Sequence, residues 1–245
     1  MGMPVGIDVC DPGVSEAAIE DAFAWLRAVD ATFSTFRPDS EISRLNRGEL
    51  DRDGCGPDVR HVLDRCEHLR LQTGGYFDAA ATGGAGIDPS GLVKGWAVER
   101  AARILEQGGA RNYIVNAGGD VQLAGSPDED GPWRVGIQHP RRRDAVAAVL
   151  SMRAGAVATS GAYERGDHVR DPHTGAPPIG VLSTTVVGPS LEIADAYATA
   201  AFAMGEGGAM WIAHQPGYAG MVILDDDTVL STPAFELYRA AVGHA

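Results

Sequence analysis

The chain has 245 residues, 44% of them hydrophobic, and a formal net charge of −13. That length suffices for one large domain or two fused subdomains with a real core. The charge excludes a basic track for nucleic acid, so any phosphate ligand has to be held by local groups against the global field. Three cysteines, Cys10, Cys55 and Cys66, form no CxxC pair, which argues against a zinc knuckle and for a reducing compartment. No apolar run is long enough for a membrane span, and the first residues lack a basic start and an apolar signal core. The chain as given therefore reads as cytoplasmic, without membrane insertion.

In chain order, residues 4–9 read as a strand. A helix follows over 15–32, with Ile19, Phe23, Leu26, Val29 and Phe33 at helical spacing. Residues 34–46 form a turn running into a short helix, and 51–57 a Gly/Asp-rich loop. A helix over 58–73 carries Val59, Val62, Cys66 and Leu69 and stops at Gly74-Gly75. Residues 88–95 read as a turn opening a helix that runs from 96 to about 107. Strands are expected at 113–116, 121–123, 133–138, 146–152, 156–159, 183–187 and 221–224. Residues 167–175 form a loop. Helices are expected over 192–205, around Met210, and briefly after Pro233. Strand-and-helix blocks before and after about residue 110 suggest a duplicated α+β plan within a single domain.

The helix at 192–205 holds the chain's most informative polar pair. Ser190 offers an N-cap and alanines fill the interior, so the helix is expected to be buried on most sides. Asp195 lies inside this apolar run, and Thr199 is one turn later. A carboxylate in such company costs several kcal/mol unless a cation or donors compensate it. The i, i+4 spacing sets both oxygens on one face, which suits a hard metal or a phosphate. An Asp in the first turns also answers the helix dipole, and a Thr one turn on also serves as packing.

Other constellations remain open when taken singly. Asp88-Pro-Ser-Gly-Leu-Val-Lys94 sets a turn and a lysine at a helix start, where N–H groups favour anions; it is equally a tight turn with a surface lysine. Asn116-Ala-Gly-Gly-Asp120 leads into a strand, so it is a hairpin with positive φ at its glycines rather than a dinucleotide loop. Thr159-Ser-Gly161 presents hydroxyls at a strand end. His168, in a polar loop beside Asp171, has the chemistry of a general base, although most loop histidines have no such role. Phe36, Tyr76 and Phe77 can stack on a planar ring or belong to the core.

Taken in order, these pieces resemble the ApbE family, the FAD:protein FMN transferases, along nearly the whole chain. The matching blocks are Met1-Gly-Met3, Phe33-Ser-Thr-Phe36 with Ser40-Glu-Ile-Ser-Arg-Leu-Asn46, Thr73-Gly-Gly-Tyr-Phe-Asp78, Asp88-Pro-Ser-Gly-Leu-Val-Lys-Gly95, Val115-Asn-Ala-Gly-Gly-Asp120, Ala158-Thr-Ser-Gly161, His168-Val-Arg-Asp-Pro-His-Thr-Gly175 and Ala194-Asp-Ala-Tyr-Ala-Thr199. The resemblance implies an α+β, T-fold-like arrangement of two subdomains with mixed sheets and packed helices. It also implies a Mg²⁺-dependent reaction in which FAD donates FMN to a threonine or serine of an acceptor flavoprotein and AMP is released. Carried onto this chain, Asp195, Thr199 and the Gly91 carbonyl are the implied metal ligands. Met1, Phe36, Tyr76, Phe77, Asp78, Asp88, Lys94 and Arg170 are the implied FAD contacts. His168, with Asp195, is the implied catalytic pair, His168 assisting the attacking hydroxyl.

The chain departs from the family pattern in a short segment between Asp78 and Asp88 and in having Phe36 where a tyrosine is common. A pyrophosphatase splitting FAD to FMN and AMP, and a non-catalytic FAD carrier, are the alternative readings of the same residues.

Overall fold

Alternating burial along the strands and one-sided burial along the helices sort the chain into layers. The computed structural model describes residues 2–81, 86–128, 131–142, 144–161 and 169–240. β1 (Val5–Val9) is followed by α1 (Glu16–Phe33), α2 (Glu41–Asn46), α3 (Pro57–Gln72) and α4 (Ser90–Gln107). Next come β2 (Tyr113–Ala117), β3 (Asp120–Ala124), β4 (Trp133–Gln138), β5 (Val146–Met152), β6 (Ala154–Gly161) and β7 (Val181–Gly188). The chain then forms α5 (Leu191–Ala203), α6 (Gly208–Ala213), β8 (Ala219–Leu224), β9 (Val229–Ser231) and a 3₁₀ helix, Pro233–Tyr238.

Among the described residues seven strands form one sheet in the order β1-β2-β3-β6-β7-β8-β9, and β4 and β5 form a separate antiparallel pair. The fold is α+β, but the described pairings are antiparallel throughout rather than mixed. Short connections decide this where they occur: Gly118 and Gly119, at φ 60° and 99°, join β2 to β3, and a link of that length can only reverse the chain. β1, from before residue 110, pairs with β2, from after it, so the sheet crosses the boundary expected there. No helix among the described residues is long and apolar enough to cross a membrane.

The helices cover one face of the sheet. α1 is capped by Ser15, whose hydroxyl accepts from Ala18 N, and it buries Ala22, Leu26, Val29 and Phe33 against α4 and its neighbours. α5 is almost wholly buried, as its composition requires, with Leu191, Ala194, Ala198 and Ala201 fully enclosed. Burying a side chain such as Leu191 contributes about 2 kcal/mol. The β4–β5 pair covers the other face. Trp133, Val135 and Ile137 alternate inward and pack with Val121, Leu123, Val157, Val187 and Phe235.

This alternation positions the site. Val121 and Leu123 of β3 face the β4–β5 pair, so Asp120 and Gln122 face the helices. Ala156 and Ala158 of β6 face the helices as well, and with them Ser160.

Two expectations need correction here. α4 begins at Ser90, not near residue 96; Asp88 Oδ1 accepts from Ser90 N at 3.0 Å in the turn that leads into it. Gly91 and Lys94 therefore belong to the helix itself. The short strand β9 was not expected; it pairs through Met221 with Ser231, Val222 with Leu230 and Ile223 with Val229, and its sequence carries little alternation to announce it.

Candidate functional site

α4 and α5 approach so closely that only glycine fits between them at one point. A Cβ on Gly95 would lie 2.3 Å from Leu191 O and 2.8 Å from Asp195 Cβ. The contact allows Gly95 N to donate to Asp195 Oδ2 at 2.8 Å. In a regular α-helix that amide is the donor aimed at Gly91 O. Gly91 also faces α5: a Cβ there would be 3.2 Å from Thr199 Oγ1 and 3.3 Å from Phe77 Cε2. Gly91, about a hundred residues earlier in the chain, thus meets Asp195 and Thr199 across one helix–helix contact.

Lys94 enters the same space from α4. Its Nζ lies 3.6 Å from Asp195 Oδ1 and 2.8 Å from Asp120 Oδ2. Both carboxylates are buried, Asp195 at 1% exposure and Asp120 at 0%. Asp120 Oδ1 accepts from Thr159 N at 3.1 Å, which ties β3 to β6. Ser160 and Thr199 share a hydroxyl hydrogen bond of 3.3 Å. Buried carboxylates need a cation or donors nearby, and here one ammonium stands between two of them.

The donors at this point are oxygens of a carboxylate, a hydroxyl and a helix backbone. That set suits a hard divalent cation such as Mg²⁺ rather than a soft metal. Gly91 is the residue that leaves the backbone within reach of Thr199. The residues present therefore fit the metal that the sequence resemblance implies.

A family model described as the ApbE family matches residues 1–83 and 79–222. The chain belongs to the ApbE family. A Salmonella typhimurium relative named FAD:protein FMN transferase is 32% identical over 222 residues, covering 83% of this chain and 61% of that protein. A Vibrio cholerae relative of the same name is 34% identical over 261 residues, covering 82% of this chain and 78% of that protein. The chain spans 61% of the length of the Salmonella relative and 49% of a Klebsiella pneumoniae one. The solved structure of "Flavin Transferase ApbE from Vibrio cholerae" matches with a TM-score of 0.85 at 25% identity, covering 97% of this chain and 96% of that one.

Among the residues the ApbE resemblance singled out, Gly91, Lys94, Asp195 and Thr199 converge, and Phe77 lies beside Gly91. Phe77 is buried, and its amide donates to Thr73 Oγ1 at 2.9 Å. Tyr76 packs edge-on against His173, with ring centroids 4.6 Å apart, and so anchors the loop that carries Arg170. Arg170 is exposed and donates to Gly175 O at 3.0 Å. Asp88 accepts from Ser90 N in the turn before α4.

Asp78 follows Phe77 in the chain. Its Oδ1 accepts from Ala80 N, and it lines a cavity of about 250 Å³ with Leu45, Leu63, Cys66, Arg70 and Ile87. Phe36 is 93% exposed, so it is no core residue. Met1 and His168 lie outside the described residues, as do residues 82–85 of the short segment after Asp78.

Asp120 was missed as a site residue. The sequence shows it only as the last residue of a hairpin motif, and its pairing with Lys94 depends on which face of β3 meets α4. Ser160 was read as a hydroxyl at a strand end, which is where it lies; its partner, Thr199, comes from the helix layer. Two more buried oxygens on these strands, Gln122 Oε1 and Thr184 Oγ1, have no hydrogen-bond partner among the described residues. Thr184 sits opposite Ser160 in the β6–β7 register.

Proposed function

We propose that this chain transfers FMN from FAD to the hydroxyl of a threonine or serine on an acceptor protein, with Mg²⁺ bound and AMP released. The observation that carries the reading is the meeting of Asp195 and Thr199 with Gly91 and Lys94 at one buried helix contact. The names of the ApbE relatives, FAD:protein FMN transferase, support the same reaction class.

In this reading Asp195, Thr199 and the Gly91 carbonyl would hold Mg²⁺, which supplies neutralising charge to the phosphate oxygens as bonding changes. Lys94 adds a fixed positive charge beside the diphosphate, needed in a protein of net charge −13. Phe36 and Tyr76 offer aromatic surface to planar rings, Phe77 is buried and backs the site beside Gly91, and Met1, Asp78, Asp88 and Arg170 complete the FAD contacts. The acceptor hydroxyl oxygen attacks the phosphorus of the FMN half and forms a new P–O bond. The bond from that phosphorus to the bridging oxygen breaks, and the oxygen leaves with AMP. His168 takes the proton of the attacking hydroxyl.

The test is to incubate the purified chain with FAD, MgCl₂ and an acceptor protein bearing a target threonine. AMP is followed by chromatography, and flavin fluorescence is followed on the denatured acceptor. Equal yields of AMP and labelled acceptor, both dependent on Mg²⁺, are expected. AMP formed at the same rate without acceptor would replace this reading with hydrolysis. Full transfer by Asp195→Asn would remove the metal-centred mechanism.

A further inference from the structure

Asp120 belongs to none of the roles assigned above, yet its carboxylate lies closer to Lys94 than that of Asp195 does. Its Oδ2 is 2.8 Å from Lys94 Nζ, whereas Asp195 Oδ1 is 3.6 Å away. The carboxylate is itself immobilised: it sits on β3 at 0% exposure, and its other oxygen accepts from Thr159 N at 3.1 Å. Among the described residues no hydrogen bond reaches Oδ2, so the Lys94 ammonium is the compensation found for that buried oxygen. Moving Lys94 away would strand a buried anionic oxygen, and this biases the ammonium toward the sheet.

We propose that Asp120 is a positioning residue that draws the Lys94 ammonium off Asp195 and leaves the Asp195 carboxylate able to accept a divalent cation. The inference rests on the reading of Asp195 as a metal ligand. Lysine is a compact charge on a flexible stem, and its ammonium competes for the same oxygens as a metal ion. Without a second carboxylate to hold it, Lys94 would close on Asp195 and form a direct ion pair inside a buried contact, where such pairs are strong and poorly screened. Asp120 prevents that closure by offering a better-placed partner on the opposite layer. A cation held by Asp195 would then share the contact with the Lys94 ammonium, and both would supply positive charge to a bound phosphate group. The placement depends on strand parity: Asp120 faces α4 because Val121 and Leu123 face the β4–β5 pair.

The experiment compares wild type, Asp120→Asn and the double variant Asp120→Asn/Lys94→Met, with Mn²⁺ as the probe ion and no flavin present. Free Mn²⁺ is measured by electron paramagnetic resonance, and metal-free crystal structures of wild type and Asp120→Asn are solved. Asp120→Asn is expected to bring Lys94 Nζ into direct contact with Asp195 and to weaken Mn²⁺ binding about tenfold. Removing the competing ammonium in the double variant is expected to restore the affinity. Asn keeps the shape and the acceptor oxygen for Thr159 N, so thermal melting is expected to show a folded protein.

An Asp120→Asn protein with unchanged Lys94–Asp195 separation and unchanged Mn²⁺ affinity would overturn the inference. So would a loss of affinity that the double variant fails to restore, since that marks a structural role alone. If Lys94 closes on Asp195 but the wild type binds no Mn²⁺, the positioning of Lys94 stands and the assignment of Asp195 as a metal ligand fails.

Discussion

Gly95 and Asp195 are joined by a hydrogen bond that exists only because one of them has no side chain. Gly95 N donates to Asp195 Oδ2 at 2.8 Å, and a Cβ on Gly95 would come within 2.3 Å of Leu191 O. The contact that anchors the carboxylate is also the contact that packs α4 on α5, so stability and site geometry meet at one residue.

Gly95→Ala is expected to force the two helices apart, because backbone is not free to move as a flexible side chain is. The cost is about 3 kcal/mol, a fall of about 10 °C in Tm for a chain of this size. Transfer activity should fall with it. Gly6→Ala is the control, since a Cβ there meets nothing within 4 Å. Thermal denaturation of the two variants side by side decides the matter.

Asp195→Asn keeps size and hydrogen-bonding shape but removes the charge. Flavin transfer is expected to drop by about 10²-fold or more, the scale seen when a group that stabilises transition-state charge is lost. The proof lies in initial rates of AMP release measured over a range of Mg²⁺ concentrations. A rate restored by more Mg²⁺ identifies weakened metal binding.

Phe36 should separate ligand binding from folding. An aromatic side chain that is 93% exposed contributes little to the core. Phe36→Ala is therefore expected to leave Tm within about 1 °C of wild type. If the ring stacks on FAD as proposed, the affinity read from quenching of flavin fluorescence should weaken about tenfold.

The thiols should react in order of exposure. Cys10 is exposed, although burial of its neighbourhood and the nearby Asp8, Asp11 and Asp128 raise its pKa. Burial pushes the Cys66 thiol up to about 12, and Cys55 is also buried and raised, chiefly by burial. Iodoacetamide at about pH 8 should label Cys10 alone in the native protein, and slowly, because the thiolate is the reactive form. Peptide mass mapping before and after unfolding reads the pattern.

Asp11 should make stability depend on acid. Its carboxylate accepts from the backbone amides of Asn112 and Arg111, each at 2.7 Å, and from the Asn112 side chain. The Asn112 and Arg111 amide hydrogen bonds hold its pKa below the ordinary carboxylate value. A depressed folded pKa means the stabilisation is present above the unfolded value, about 3.9, and is lost as pH falls through the folded one. The Tm gap between wild type and Asp11→Asn should be constant above about pH 5 and shrink below about pH 4.

How much could be read in advance varies from residue to residue. The stripe Leu26, Val29 and Phe33 announced α1 and its buried face, because helical periodicity is a local property. Gly118 and Gly119 announced a hairpin for the same reason. Asp195 stood out because a carboxylate among alanines is costly wherever the helix goes. The start of α4 is not legible in the sequence, since Ser90 and Gly91 have turn-like propensities that the packing on α5 overrides. Phe36 looked like a possible core aromatic, and only the fold shows it turned to solvent.

The order of residues alone determined most of the elements, the net negative charge and the ApbE family blocks, because propensity, spacing and composition act over short stretches of chain. It did not determine that Asp120, some 75 residues before Asp195, holds the other side of Lys94. That depends on the β3–β6 pairing, on the face β3 turns to the helices, and on a helix crossing tight enough to need glycine at 95. Burial is a property of the assembled layers, and it brings two ordinary carboxylates and a lysine into one charged cluster.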